Sequence, residues 1–250
     1  MTITAAAAAS PIWARGLASI LVASGVLGSK LVRPRANLRF KPQEPAPPPP
    51  ELDAIVLGNS ISLHGPRPQA GWHRSNGMAA SGVEHDFAHV FFRGVGVDPT
   101  QTYVRNLYPF ETDWTAAQGQ MPSILSLLEK KPRYVVVQLG DNVKFYKPVT
   151  LAKFYRNLVS LLTSIGTVEK KICLSTFWRS VVVDSVIEKA CRVTGSTYVY
   201  IGDIRALAAS EDDASEAYAD KGIDKHPKDA AMRQIGLRLA DKVARQSDSA

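Results

Sequence analysis

The chain has 250 residues, of which 45% are hydrophobic and 21% are charged, so it can bury the core of one globular domain. Its formal net charge is +7, but residues 1–50 contain six basic side chains and one acidic side chain. Residues 51–250 are therefore close to neutral, which argues against a nucleic-acid-binding domain.

The two cysteines are too few for a disulfide framework. Cys173 lies in a predicted strand and Cys191 in the predicted helix that follows it. The expected role of each is that of a small buried side chain, because unpaired cysteine behaves as a small hydrophobic residue. A single disulfide between them is the alternative if the protein is exported.

The N-terminal part has the features of a targeting segment. Thirteen uncharged residues, 16–28, follow Arg15. This run is shorter than the roughly 20 residues that span a bilayer, and it has the length of the hydrophobic region of a signal peptide. We therefore expect an exported (periplasmic or extracytoplasmic) protein, or one tethered to a membrane through residues 11–28. The alternative is an N-terminal extension on a cytoplasmic enzyme.

A proline-rich linker separates this part from the rest of the chain. Six of the ten residues from 41 to 50 are proline, which disfavours helix and favours an extended polyproline II conformation. We therefore predict an N-terminal segment with its linker over residues 1–50, and a folded domain over residues 51–250.

From residue 53 onward, apolar runs of strand length alternate with helical patterns of ten residues or more. In chain order the pattern predicts strand 53–57, helix 83–93, strand 101–107, helix 114–130, strand 133–139, helix 151–165, strand 171–176, helix 181–193, strand 196–201 and helix 230–246. The core stripe of the second helix is expected to be Ile124, Leu125, Leu127 and Leu128. Such alternation implies parallel strands joined by right-handed crossovers. The predicted fold class is α/β, a three-layer α/β/α sandwich with a parallel sheet of about five strands, and functional residues are expected beyond the strands' carboxyl ends.

The first predicted strand runs into Gly58-Asn59-Ser60. The glycine permits a sharp turn, and a helix that begins at the serine would aim its N-terminal amides at negative charge. The Ser60 hydroxyl would then face the crevice as a nucleophile. Its alternative role is that of a helix N-cap.

Two further polar residues lie next to the ends of predicted elements, one after a strand and one before a helix. Asn142 follows strand 133–139, where its side-chain amide could donate to a developing oxyanion or complete a turn. His226 precedes the last helix, and Pro227 suits the first position of that helix. His226 would be a general base, or else a surface histidine in a loop.

The order of these motifs resembles that of the SGNH (GDSL-type) hydrolases: Gly-x-Ser after an early strand, Gly-x-Asn after a central strand, and His-Pro before the last helix. The resemblance extends over about residues 53–245, and the stretches 71–89 and 226–232 are similar to a subgroup of the family. It implies a flavodoxin-like SGNH hydrolase fold for residues 51–250. It also implies a serine ester hydrolase that forms an acyl-enzyme on Ser60.

The resemblance further implies a role for each matching residue. Ser60 matches the nucleophile and His226 matches the base. Gly77 matches the glycine whose backbone N–H enters the oxyanion hole, and Asn142 matches the asparagine that contributes its side-chain amide. The backbone N–H of Ser60 would be the third donor.

Two positions depart from the family pattern. Asn59 precedes the nucleophile where the family often has aspartate, and Ile223 stands where the family usually has the acid that orients the base. Asp224 lies two residues before His226. In an extended segment the two side chains would point to the same side, so Asp224 could orient the imidazole. Asp220 is a second candidate, and a backbone carbonyl is a third, which would leave a Ser–His dyad.

The expected substrate is a small-molecule or glycan ester from which small acyl groups, such as acetyl, are removed. Trp72, His73 and Trp178 are expected to line the substrate site, because indole rings can stack on a sugar face. Packing within loops is their alternative role. The alternative functions are glycan O-acyltransfer and non-catalytic binding on the same fold. No cofactor is expected, and the oligomeric state is left open.

A metal site is the remaining hypothesis from the motifs. His85 and His89 lie four residues apart in the predicted helix 83–93, as in zinc proteases. Asp86 stands where those enzymes have glutamate, and no convincing third ligand follows. We therefore expect these histidines to pack or to line the site without a metal.

Overall fold

The computed structural model describes residues 47–144, 147–208 and 218–247. The hydrophobic segment 11–28 lies outside these ranges, and the division of the chain at residue 50 stays a prediction. Within the described ranges, no helix combines the length and the apolar composition that crossing a bilayer requires.

The described residues build one sheet of five strands. These are β1 (Ala54–Gly58), β2 (Thr102–Asn106), β3 (Tyr134–Gln138), β4 (Lys170–Leu174) and β5 (Thr197–Val199). The strand order is β2-β1-β3-β4-β5, and every neighbouring pair is parallel. The predicted α/β class and the five-stranded parallel sheet are therefore confirmed.

Helices cover both faces of this sheet. One face packs against α1 (Phe87–Gly94), α6 (Ile204–Ala208) and α8 (Asp229–Ser247). The other face packs against α2 (Pro109–Thr112), α3 (Trp114–Leu128), α4 (Pro148–Ile165) and α5 (Val181–Val193). A single helical turn, α7 (Lys221–Asp224), precedes α8. The layers are those of the predicted α/β/α sandwich.

Strand β1 is buried on both sides. Ile55 and Leu57 belong to the core beneath α2 to α5, whereas Ala54 and Val56 belong to the core beneath α1 and α8. This division follows the two-residue period of a strand. A strand that is covered on both faces needs an apolar residue at nearly every position, which is why its sequence reads as an unbroken apolar run.

The strand order reverses around β1. From β1 the chain crosses to β2 on one side, and it then crosses back to β3 on the other side. The loops that leave β1 and β3 therefore diverge and open a crevice beyond the carboxyl ends of these strands, which is where open α/β sheets bind ligands. Ser60 follows β1, and Asn142 follows β3.

The first helix begins later than its sequence pattern predicts. Asp86 has extended backbone and caps α1 by accepting a hydrogen bond from the backbone N–H of His89 at 2.9 Å, while residues 83–85 form a separate 3₁₀ turn. His85 and His89 are therefore not on one helix. His85 is exposed, and Nδ1 of His89 is bonded to Asp86 Oδ1 at 2.7 Å. The part of the chain that the structure describes holds no cluster of three possible metal ligands.

Helix α3 buries a narrower stripe than expected. Ile124 and Leu127 are fully buried and Leu128 packs at the edge of the core, but Leu125 is 42% exposed. Successive helical residues are about 100° apart, so Leu125 turns away from a face that is centred between Ile124 and Leu127. Its predicted place in the core is wrong.

The two cysteines form a disulfide that ties β4 to α5. Cys173 and Cys191 are both buried, as expected for small apolar side chains. Their predicted state as separate thiols is wrong, and the alternative of a single disulfide is what the structure shows.

Candidate active site

Ser60 and His226 lie in contact although they are 166 positions apart in the chain, with 2.9 Å between Ser60 Oγ and His226 Nε2. Ser60 lies just past the end of β1, and His226 lies in the turn between α7 and α8. The structure therefore brings together the two residues that the sequence predicted as nucleophile and base.

A tight turn holds Ser60. Gly58 opens it, and a Cβ at this position would overlap the side chain of Ser62, so a larger residue does not fit. The buried side chain of Asn59 closes the turn, because its Oδ1 accepts a hydrogen bond from the backbone N–H of Ile61 at 2.9 Å. The backbone N–H of Ser60 has no acceptor among the described residues, so it is available to a ligand.

A main-chain carbonyl orients the imidazole of His226. Its Nδ1 lies 2.7 Å from the carbonyl oxygen of Gly222. Because a carbonyl oxygen only accepts, Nδ1 carries the hydrogen, and Nε2 is left as an acceptor for the hydroxyl of Ser60. The ring of Trp178 packs edge-on against the imidazole, with 5.1 Å between centroids. Burial, helped by the charge that His64 carries when it is protonated, lowers the pKa of His226 below 6.5.

Neither candidate acid is hydrogen-bonded to His226. Asp224 accepts a hydrogen bond from the backbone N–H of Tyr218 at 3.2 Å and pairs with Lys228 at 3.2 Å, and the Tyr218 N–H is the main reason why the pKa of Asp224 is lowered. Asp220 caps α7. The expectation for Asp224 assumed an extended segment, but the backbone is helical up to that residue.

Asn142 is anchored by an acid from another element. Its Nδ2 donates to Glu111 Oε2 at 2.7 Å, which leaves the second hydrogen of the same amide group for another acceptor. Desolvation raises the pKa of Glu111, while hydrogen bonds from the surrounding amide groups oppose that rise. Glu111 was not singled out from the sequence, where it lies in an unremarked Pro-Phe-Glu-Thr segment.

A second enclosed acid, Asp141, holds the neighbouring loop. Its Oδ1 accepts hydrogen bonds from the backbone N–H groups of Phe177 at 2.8 Å and Trp178 at 3.3 Å. Its Oδ2 accepts hydrogen bonds from Gln138 Nε2 at 2.7 Å and Asn59 Nδ2 at 3.4 Å. Desolvation, followed by the negative charge of Glu111, raises the pKa of Asp141 to about 7.

The predicted oxyanion donor Gly77 has its backbone N–H directed at an acid. That N–H donates to Asp86 Oδ2 at 3.3 Å, and a Cβ at Gly77 would come within 2.6 Å of the carbonyl oxygen of Ile61. Two residues later, Ala79 is buried with φ of 74°, a conformation that costs alanine about 1 kcal/mol or more. The N–H of Ala79 has no acceptor among the described residues.

Trp72 does not line a substrate site, contrary to expectation. It is fully buried, its indole N–H donates to the carbonyl of His64 at 3.2 Å, and its ring packs against Tyr218. Packing within the loop, the alternative role, is what the structure shows. His73 is exposed and makes no hydrogen bond within the described part of the chain.

Trp178 is placed where a substrate could reach it. It is half-buried beside His226 and lines a cavity of about 330 Å³ at the loop that follows β3. The cavity lining includes neither Ser60 nor His226, but it includes four valines and three polar residues: Val143, Val181, Val182, Val183, Thr176, Arg179 and Ser180. This cavity adjoins Asp141, the neighbour of Asn142 in the chain.

Solved structures similar to this chain include two esterases and a protein described as lipase-like. EstA, a psychrotrophic esterase from Pseudoalteromonas sp., shares 14% identity over 79% of this chain and 100% of its own, with a TM-score of 0.49. A two-domain esterase (CEX) active on acetylated mannans shares 15% identity over 78% of this chain and 50% of its own, with a TM-score of 0.49. A protein described as a GDSL-like lipase from Bacteroides uniformis shares 13% identity over 77% of this chain and 96% of its own, with a TM-score of 0.48. No protein-family model matches the chain, and no curated protein matches it.

Proposed function

We propose that the chain is a serine ester hydrolase in which Ser60 is the nucleophile and His226 the general base. The observation that supports this most is the contact of 2.9 Å between Ser60 Oγ and an imidazole nitrogen that is left as an acceptor by the Gly222 carbonyl. A serine is a weak nucleophile until an adjacent base removes its proton, and this pair has the required geometry.

The reaction would proceed by acyl transfer to Ser60. The hydroxyl attacks the ester carbonyl while His226 takes its proton, and the imidazolium then protonates the departing alcohol. Water, deprotonated by the same imidazole, attacks the acyl-enzyme; the bond to Ser60 Oγ breaks, the imidazolium returns the proton to Oγ, and the acid is released. The Gly222 carbonyl would stabilise the imidazolium, so the pair would work as a dyad.

The oxyanion formed in each step needs donors. We propose the backbone N–H of Ser60, the free amide hydrogen of Asn142, and the N–H of Ala79 in place of Gly77. Ala79 is favoured because the neighbouring Met78 N–H bonds to the carbonyl of Ser60 at 2.9 Å, which keeps this segment beside the nucleophile. The N–H of Gly77 is already bonded to Asp86.

The proposed substrates are esters of small acyl groups, such as acetyl, on a carbohydrate or a related alcohol. The cavity beside Trp178 supports this choice, because about 330 Å³ lined by an indole, several valines and the polar side chains of Thr176, Arg179 and Ser180 suits a sugar ring or a short acyl chain. A panel of 4-nitrophenyl esters of increasing chain length, together with acetylated oligosaccharides, tests it. If kcat/KM were highest on long-chain esters, the proposed preference for small acyl groups would be ruled out.

We also propose that the protein acts outside the cytoplasm, exported or tethered through residues 11–28. The Cys173–Cys191 disulfide supports this, because structural disulfides persist in oxidising compartments. The uncharged run 16–28 has the length of an export signal.

The decisive test of the activity is Ser60→Ala. We expect hydrolysis of 4-nitrophenyl acetate to fall on the order of 10⁶-fold in kcat, as when a triad serine is removed. Ser62→Ala is the matched control, because Ser62 lies on the same turn but donates to Gln138 Oε1 at 3.1 Å; its kcat should stay within about tenfold of the parent. A fluorophosphonate should label Ser60 in the parent, as located by peptide mass spectrometry. Near-normal turnover by folded Ser60→Ala would refute the assignment.

A further inference from the structure

Glu111 is a buried acid placed among the residues of the proposed oxyanion site. It lies in α2 and is 3% exposed. Its Oε1 accepts hydrogen bonds from the backbone N–H groups of Gly140 and Asn142, the latter at 3.4 Å, and from Asn59 Nδ2 at 3.1 Å. Its Oε2 accepts a hydrogen bond from Asn142 Nδ2 at 2.7 Å. Four donors thus converge on one carboxyl group, and Glu111 forms no ion pair among the described residues.

These contacts join the two strand ends that flank the crevice. Asn59 belongs to the turn after β1, which bears Ser60, and Asn142 belongs to the loop after β3. Because a primary amide is planar, fixing one hydrogen of the Asn142 amide on Glu111 also fixes the direction of the other hydrogen. A hydrogen-bond donor that is already oriented stabilises an oxyanion without reorganising during the reaction.

We propose that Glu111 is a positioning residue for ester hydrolysis, which holds the Asn142 amide in its donor orientation and clamps the nucleophile turn through Asn59. This inference rests on the proposed function, because it requires Asn142 to be an oxyanion donor. Glu111 makes no hydrogen bond to Ser60 or His226, so it acts through its neighbours and not on the substrate.

Replacing Glu111 by glutamine tests the orientation directly. The glutamine oxygen can replace Oε1, but its NH₂ group then faces Asn142 Nδ2, donor against donor. The Asn142 side chain would turn over to present its oxygen, and the oxyanion site would lose a donor. We therefore expect Glu111→Gln to lower kcat by about 10²–10³, the usual effect of losing one such donor, while KM changes less than about threefold.

A double-mutant cycle separates positioning from general support of the fold. Asn142→Ala alone should lose about 10²–10³ in kcat on 4-nitrophenyl acetate. If Glu111 acts through Asn142, adding Glu111→Gln to Asn142→Ala should cost little more, because the two changes remove the same interaction. If the double variant instead lost kcat by the product of the two single-variant factors, the inference would be overturned.

The matched control is Asp184→Asn, which alters another buried carboxylate. Asp184 accepts hydrogen bonds from the backbone N–H and the hydroxyl of Thr176, both at 2.8 Å. This variant should lower the melting temperature and leave kcat nearly unchanged. If Glu111→Gln does not fold, as judged by circular dichroism, Glu111→Asp takes its place in the cycle, because it keeps the charge and withdraws the carboxylate from Asn142.

The measurements distinguish two kinds of failure. Full activity of Glu111→Gln, with Ser60→Ala and Asn142→Ala inactive or slow, would overturn the role of Glu111 and leave the esterase intact. Full activity of both Ser60→Ala and Asn142→Ala would overturn the proposed function and, with it, the inference about Glu111. A kcat that falls in Glu111→Gln, with KM kept and no further loss in the Asn142→Ala background, is the supporting result.

Discussion

The imidazole of His226 is oriented by the carbonyl of Gly222, and this sets an expectation for the acid beside it. Asp224→Asn keeps an oxygen for the Tyr218 N–H and loses only a partly exposed ion pair, which is worth about 0–1 kcal/mol. We expect kcat to change less than about fivefold, whereas losing the orienting aspartate of a triad costs about 10⁴. Steady-state hydrolysis of 4-nitrophenyl acetate measures this. A loss of about 10³ or more would show that Asp224 reaches the imidazole during catalysis.

His64 influences the same imidazole through its charge. The neutral form of His226 is the proposed base, so kcat/KM should fall as the pH drops through the pKa of His226, which lies below 6.5. Burial lowers the pKa of His64 itself, so its charge acts on His226 only where His64 is protonated. In that acidic range His64→Gln should raise the pKa of His226 and move the acid limb of the kcat/KM profile to higher pH. The pH profile of kcat/KM measures the shift. His85→Gln, which changes an exposed histidine beside Glu84, is the control and should leave the limb in place.

Some residues of the proposed site could be selected from the sequence, and others could not. Ser60, Asn142 and His226 could be selected because each stands at a strand end or a helix start. Glu111 could not be selected, because its partners Asn59 and Gly140 lie 52 and 29 positions away and no local pattern connects them. A side chain whose partners lie far away in the chain is part of no local motif and no regular spacing, so the sequence alone does not identify it.

Among the elements, β4 and α5 are joined covalently. The Cys173–Cys191 disulfide has a sequence separation of 18, and in the chain-entropy model a loop of this size contributes about 3 kcal/mol to the free energy of unfolding. We expect reduction to lower the urea midpoint of the parent. A Cys173→Ala/Cys191→Ala variant, which has no disulfide, should not respond to the reductant.

This disulfide should not affect the reaction. Both cysteines lie in the apolar core beneath α2 to α5, to which neither Ser60 nor His226 belongs, so kcat of the reduced enzyme at 25 °C should match that of the oxidised enzyme. A parent protein whose urea midpoint is the same with and without reductant would contradict the stabilising role.

Helices and strands could be predicted where burial gives their apolar residues a regular spacing in the sequence. Strands β1 and β3 appear as apolar runs and the long helices as apolar stripes, and α5 has the predicted bounds, Val181–Val193. The single turns α2 and α7 are too short to show a helical period. Because α7 went unpredicted, Asp224 was expected to face His226 from an extended segment.

In the whole molecule, strand order decides where the site forms. The alternation of strands and helices predicts a parallel sheet, but it does not say which strands are neighbours. The observed order puts β1 between β2 and β3, so the loops after β1 and β3 meet across one crevice. Ser60 and Asn142 come to flank one crevice through that order, and the turn after α7 adds His226 from a remote part of the chain.

The 166 positions between Ser60 and His226 have a consequence for biosynthesis. A ribosome that has made β1 to β5 has made every strand of the described sheet, yet the growing polypeptide still lacks the base and the helix α8 that covers one face. Such a nascent chain would have no hydrolytic activity. Because the proposed site of action lies outside the cytoplasm, turnover would begin only after translocation, once the segment containing His226 and α8 has docked, so the onset of activity would report the docking of this last part of the chain.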